Sequence, residues 1–325
     1  MTALRRTIRV VISLGLFVLV LGVVGARDVA QSFLTLSPLL LTGAFGMVLI
    51  DSMLRSANMF QLLNRFAHIG FKEAWVMYLA GAFYGALLPS TVGTDAARAM
   101  MISRRTSLDI RVSAGSLVTL NLLGLGAVAT VGTIAVGFLL LSDTSTFLIL
   151  SFVLSGILAA TVGLLMFTAL GRRIIGLLSK ATGLWPAAQR ILGPLLEAVL
   201  VLPKGRRGQV TLVGIALVNQ IIRISVAVLV ASSFGLGIDW WVLAAIGPMV
   251  AIISMVPLSV LGVGIDQGAS VLLLGQFGVA GSDAFAFSVT LSAMYIGLGL
   301  FGGIVVTLDS AFGLQKSSST QSGNP

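Results

Sequence analysis

Three places in the 325-residue chain set polar groups among apolar residues at spacings that could do chemistry. The first is Leu88-Pro89-Ser90-Thr91-Val92-Gly93-Thr94-Asp95-Ala96-Ala97-Arg98, where proline and glycine stop one helix and Thr94 or Asp95 starts another. A helix start offers free N–H groups and the positive end of its dipole, which suit a phosphate. Arg98 lies in that first turn, and its planar fork binds phosphate bidentately. The blander alternative is that Asp95 caps the helix and Arg98 marks a cytoplasmic flank. The second place is the break from Pro257 to Asp266, whose acid could bind an ion or a substrate. The third is Arg223, deep in an apolar run and on one helical face with Asn219 and Gln220. An arginine inside a membrane span is costly enough to mark a functional site by default, the alternative being a snorkelling or structurally neutralised side chain. Asp266 is its expected partner across a central cavity, whereas Asp51, Glu73 and Asp309 are expected in solvated positions near span ends.

The elements that position these groups must lie in a bilayer. Hydrophobic residues make up 57% of the chain and charged residues 10%, against about 25% charged in a soluble domain. Several separate runs reach the roughly 20 apolar residues that cross a hydrocarbon core. The absence of cysteine excludes disulfides, thiolate metal sites and a cysteine nucleophile, and one histidine, His68, leaves little for a metal cluster or a Ser-His pair. No catalytic residue, metal or cofactor is therefore expected. The net charge of +9 sits in loops beside apolar runs, so it reads as a topology signal and not as a nucleic-acid surface.

Six full crossings and two interrupted hairpins follow. The spans are expected at 8–24, 36–54, 112–141, 147–170, 210–232 and 284–308, with a turn at Arg27 and Asp28 and a basic inside loop carrying Arg55, Arg65 and Lys72. The stretch Ala74 to Leu88 is basic on both flanks and broken after Leu88, so it reads as a re-entrant hairpin, two short crossings being the alternative. The second hairpin comprises Trp240 to Val256, the break, and Ala269 to Phe277. Between Arg172 and Arg207 a basic cytoplasmic loop carries Ile191, Leu192, Leu195, Leu196, Val199 and Leu200 at helical spacing, which suits an interfacial helix or a plain connector. The fold class is thus an all-α polytopic membrane protein: one transmembrane domain over 1–314 and a disordered cytoplasmic tail over 315–325. Its two halves, 1–141 and 147–308, read as an inverted repeat, an arrangement in which broken helices meet near the midplane. Both termini are expected in the cytoplasm.

The run from Leu88 to Ala99 resembles the Leu-Pro-x-x-x-Gly-x-Asp-x-x-Arg-Ala signature of the flippase-like superfamily, which includes the membrane region of lysylphosphatidylglycerol synthases. Val256-Pro257-Leu258-Ser259-Val260-Leu261-Gly262-Val263-Gly264-Ile265-Asp266-Gln267-Gly268 is similar to that family's Pro-x-Ser-x-x-Gly-Gly-x-Gly-x-Arg-Glu-Gly. Gln220 and Gly302-Gly303 also fit the pattern, so the likeness covers nearly the whole chain. There are departures: Leu261 replaces a glycine, Asp266-Gln267 stand where Arg-Glu is common, and Gly85 stands where asparagine is frequent. The resemblance implies substrate contacts at Pro89, Ser90, Gly93, Asp95, Arg98, Gln220, Pro257, Ser259, Gly262, Gly264, Asp266 and Gln267, to which the residue chemistry adds Arg223.

What the resemblance implies is translocation of phospholipids or polyprenyl-linked lipids across a prokaryotic inner membrane, without the soluble aminoacyl-transferase domain of the synthases. The expected partners are the lipid substrate, the bilayer and proteins of envelope synthesis. Two alternatives stand beside it. One is an intramembrane lipid-modifying transferase, since Asp95-Ala96-Ala97-Arg98 is partly similar to the Asp-Gly-x-x-Ala-Arg of phosphatidyl-transferring enzymes. The other is a non-transporting membrane partner of an envelope-synthesis complex.

Overall fold

Inside a bilayer every backbone N–H and C=O has to find its partner within the protein, which leaves a run of apolar residues little choice but the helix. The computed structural model describes residues 15–87, 91–142, 144–168, 173, 202–203, 205–254 and 264–313, and among these the regular structure is entirely helical. The helices are α1 (Gly15–Val24), α2 (Ala26–Leu34), α3 (Pro38–Leu63), α4 (Phe71–Leu87), α5 (Thr91–Thr106), α6 (Ile110–Leu139), α7 (Thr146–Phe167), α8 (Arg206–Ser233), α9 (Trp240–Ser254), α10 (Ile265–Gly275) and α11 (Gly281–Gly313). Five of them, α3, α6, α7, α8 and α11, are long and apolar enough to span, and the bent pair α1–α2 gives a sixth by composition.

The spans are built with polarity inward. On α7 the buried face holds Ser151 and Ser155 while Ile149, Leu150, Val153 and Ile157 point outward. On α11 the exposed residues Ile296, Leu300, Ile304 and Leu308 recur every four residues as an apolar stripe. Lipid tails are as apolar as leucine, so such helices pack through small residues and internal hydrogen bonds. The bond from Thr133 Oγ1 to Ser155 Oγ, 3.1 Å long, ties α6 to α7 in this way. Glycines set the closest approaches: a methyl group on Gly132 of α6 would collide with Pro248 of α9, and one on Gly302 of α11 with the Leu79 carbonyl of α4.

Pairing α3 with α8, α4 with α9, α5 with α10 and α6 with α11 reveals corresponding contacts. Helix α4 packs on α11 as α9 does on α6, α5 packs on α6 as α10 does on α11, and α3 meets α4 as α8 meets α9. The contact of α3 with α8 maps onto itself. Both expected hairpins are present as helix pairs, α4–α5 and α9–α10.

Three expectations need correction. Arg27 and Asp28 are not in a turn but in α2, a helix set at 80° to α1 through Gly25, whose φ of +93° suits glycine. Helix α2 buries Val29 and Ser32 and exposes Arg27, Asp28 and Gln31, the amphipathic pattern of a helix lying in the interface. It is fastened to the far end of the chain, with Ser32 Oγ donating to Asp283 of α11 at 2.7 Å, Phe17 of α1 against Phe285 with ring centres 5.2 Å apart, and Phe33 edge-on to Phe234. The second span does not end at Leu54 but runs on to Leu63, so Arg55 belongs to the helix and not to a loop. Asp51 consequently sits in mid-span, 1% exposed, and not at a solvated end. Asp309 does keep an end position, paired with Arg105 at 3.2 Å. The suggested helix around 191–200, the tail and the residues Pro89, Ser90, Pro257, Ser259 and Gly262 lie outside the described residues.

Candidate polar site at the centre of the bundle

Two apolar clusters make up the interior. One gathers Ala44 and Val48 of α3 with Ile224, Val226 and Val230 of α8, the other Met59, Leu62 and Leu63 of α3 with Leu212 and Ala216 of α8. Between them, on the same two helices, lies a layer of Asp51, Ser52, Arg55, Ser56, Asn58, Asn219, Gln220 and Arg223. At 1.5 Å rise per residue, Asp51 is about 20 Å from the start of α3, the middle of this 26-residue span.

The layer is joined across α3 and α8. Asn219 Nδ2 donates to the Asp51 carboxylate at 2.9 Å and to the Asp51 carbonyl at 3.0 Å. Arg55 and Arg223 follow four residues after Asp51 and Asn219, on the same helical faces, and both lie within electrostatic reach of Asp51. Asp51 closes no direct ion pair with either arginine among the described residues. Arg223 lies beside Tyr295 of α11, its guanidinium carbon 5.9 Å from the ring centre. Arg55 faces Tyr78 of α4, and Gly124 of α6 leaves room for it, since a methyl group there would stand 3.3 Å from the guanidinium. Trp75 of α4 donates to Ser52 at 3.0 Å and so fixes α4 against this part of α3.

The first hairpin adds a third arginine. Arg98 of α5 stacks over Tyr78, 4.8 Å from the ring centre, and its Nη1 approaches Asp95 at 3.4 Å. Asn121 of α6 donates to the other Asp95 oxygen at 2.8 Å. Gly81 makes room for this, because a methyl group there would collide with the Arg98 side chain. Arg98 Nε and Asn58 Oδ1 are buried and have no hydrogen-bond partner among the described residues. Buried polar atoms of this kind are rare and cost about 1–3 kcal/mol each. Tyr78 thus stands among Arg55, Arg98 and Arg223.

The second hairpin is arranged differently. Gly264, with φ of +88°, precedes α10, and its N–H is taken by the Gln267 side chain at 2.6 Å. Gln267 is buried and also donates to Ser292 of α11 at 3.2 Å. Asp266 accepts from Ser254 at the end of α9, across the break. No ion pair joins Asp266 to Arg223 among the described residues; Arg223 instead lies beside Tyr295 and within electrostatic reach of Asp51.

Of the residues singled out in the sequence, Asp95, Arg98, Gln220 and Arg223 therefore lie in or beside the central layer, and Gly264, Asp266 and Gln267 form the start of α10; helix α5 begins at Thr91 and not at Thr94 or Asp95, so Gly93 is in its first turn while Asp95 and Arg98 lie beyond it. Asp51, Arg55, Tyr78, Asn121 and Tyr295 were not foreseen. A usable signal was present for the first two: Asp51-Ser52-Met53-Leu54-Arg55 and Asn219-Gln220-Ile221-Ile222-Arg223 repeat one pattern inside two apolar runs. Beside the layer, α6, α7 and α8 line a half-open apolar pocket of about 210 Å³, with Ala216 and Leu217 one turn before Gln220.

The family described as lysylphosphatidylglycerol synthase TM region matches residues 6–303. No curated protein and no solved structure matches the chain.

Proposed function

Since the chain belongs to the family of lysylphosphatidylglycerol synthase TM regions, multi-pass membrane proteins connected with lipid handling, we propose that it moves a phospholipid or a polyprenyl-linked lipid between the leaflets of a prokaryotic inner membrane. The observation that carries this reading is the charged layer at mid-span. Placing an arginine at the centre of a membrane helix costs about 2.5–3.5 kcal/mol on insertion scales, and Arg55 and Arg223 both sit there, with Arg98 reaching the same tyrosine. Stability alone gives no reason to retain such groups, whereas a phosphate crossing the bilayer needs cationic donors along its way. The three arginines exceed the two acids beside them, Asp51 and Asp95, so the layer favours an anion. The apolar pocket next to Gln220 is suited to the lipid tail. The proposed activity is transport, with no bond made or broken by the chain.

Residues 1–314 act as one transport domain whose halves, 1–141 and 147–308, are inverted repeats, a reading supported by the corresponding helix contacts. Both termini face the cytoplasm; because the chain has no native cysteine, single cysteines at positions 68 and 239 should label from opposite sides. The decisive experiment is headgroup accessibility in sealed vesicles, run with labelled phospholipids and with undecaprenyl-linked sugars. One of the two classes should exchange between leaflets faster with the protein than in protein-free vesicles. No acceleration for either class would refute the reading.

A further inference from the structure

A constant offset of 168 residues relates Asp51 to Asn219, Arg55 to Arg223 and the first residue of α3, Pro38, to that of α8, Arg206. The Asp51–Asn219 hydrogen bond therefore joins equivalent positions of two corresponding helices, and the two arginines lie one turn beyond it on each side. Each has an element from its own half beside it: α6 with Gly124 at Arg55, and α11 with Tyr295 at Arg223. The pair is chemically asymmetric in one atom group only. One helix carries a carboxylate and the other an amide of the same size, so a single buried anion faces two equivalent cations.

A carboxylate held by Asn219 and closed onto neither arginine has the single negative charge and the paired acceptor oxygens of the phosphodiester that the arginines would otherwise receive, in a smaller group. We infer that Asp51 is a built-in stand-in for the phosphate of a lipid headgroup, held by Asn219 between Arg55 and Arg223 as their shared counter-charge when the site is empty and yielding to the phosphate when it arrives. In the empty protein it neutralises the arginines, which would otherwise repel each other at low dielectric. Because it serves either arginine, the phosphate can be passed from one to the other while Asp51 turns to the one just vacated. Asp95 takes no part in the exchange, being held by Arg98 and Asn121. The inference rests on the lipid-translocation reading for the source of the phosphate.

The test is a binding measurement in detergent, independent of transport, so that a failure in vesicles and a failure of this inference are distinguishable. Purified protein is titrated with dihexanoyl phosphatidylglycerol, with inorganic phosphate and with dihexanoyl phosphatidylcholine, and binding is read from the thermal midpoint. An internal competitor lowers the apparent affinity by the fraction of time it holds the site, so Asp51→Asn should bind phosphatidylglycerol about tenfold more tightly than the natural chain. Moving the acid to the equivalent position, in the double variant Asp51→Asn with Asn219→Asp, should bring the affinity back to within about threefold of the natural value, since the competitor is restored. Arg55→Gln and Arg223→Gln should each weaken binding. Unchanged or weaker binding by a monodisperse Asp51→Asn protein, or a double variant that binds as tightly as Asp51→Asn, would overturn the exchange. Tightening toward inorganic phosphate alone would overturn the lipid source and assign the site to a soluble anion. Should Asp51→Asn fail to fold, the double variant, which keeps the same groups, carries the comparison with the two arginine variants.

Discussion

In the first hairpin Arg98 crosses to Tyr78 on the helix before it and Asp95 to Asn121 on the helix after it, while in the second Asp266 reaches back to Ser254 and Gln267 to the N–H of Gly264. Both helix pairs face the same problem, a sequence interrupted by proline and glycine between two apolar helices, where each free N–H or C=O left in hydrocarbon would cost several kcal/mol. They solve it with different resources. Among the described residues, the second turns its polar side chains back on its own ends: Asp266 to Ser254, and Gln267, 1% exposed, to Gly264 and to Ser292 of α11. The first leaves Arg98 Nε buried without a partner among the described residues and adds its charge to those of Arg55 and Arg223. Two elements in corresponding positions of a fold thus divide the work: one is structural, and one is presented to the central layer.

Substitutions can break that division. The largest effect is expected for Arg98→Lys, which keeps the charge but loses the planar stack on Tyr78 and the forked hydrogen bonding. A lost charge-assisted contact of about 1.5–3 kcal/mol corresponds to a drop of roughly 10- to 150-fold in the exchange rate in vesicles at equal protein abundance. An unaltered rate would remove Arg98 from the transport path. A smaller effect of another kind is expected for Gly264→Ala. A side chain at φ of +88° costs about 1–2 kcal/mol, so the thermal midpoint should fall while exchange per folded molecule holds. Altered headgroup preference in this variant would show that the second hairpin meets the substrate. The smallest is Asp266→Asn, where the amide oxygen still accepts from Ser254 and the change should stay within about 0.5 kcal/mol of stability and twofold in rate. A loss as deep as that of Arg98→Lys would erase the difference between the hairpins.

The same contrast explains what was legible in the sequence. Runs of apolar residues and their breaks depend on local composition, so the spans and the two helix pairs could be placed from the residues alone, whereas the helix start expected at Thr94 or Asp95 lies at Thr91. Arg55 was misplaced because a charge after 18 or so apolar residues normally ends a span, and what keeps this one inside is the grouping with Tyr78, Gly124 and Asp51. The partner of Asp51 is 168 residues away, a distance across which hydrophobic periodicity carries no information. Asp266 was assigned to Arg223 on charge alone, and the nearer Ser254 satisfies it. What could have been read, and was not, is the repeated spacing Asp-x-x-x-Arg and Asn-x-x-x-Arg, since in a bilayer two charged helices of the same register must be covered by each other.

The fastening of α1 and α2 to α10 and α11 also has a history in the ribosome. Ser32 and Asp283 are separated by 251 residues, and at about 5–20 residues per second roughly 10–50 seconds pass between their emergence. During that interval α1 sits in the bilayer without Phe285, and α2 lies on the surface with Ser32 unmatched. The opening segment must therefore be held by its own hydrophobicity and by the interfacial pull on an amphipathic α2. Among the described helices, the latest to be made thus closes over the earliest.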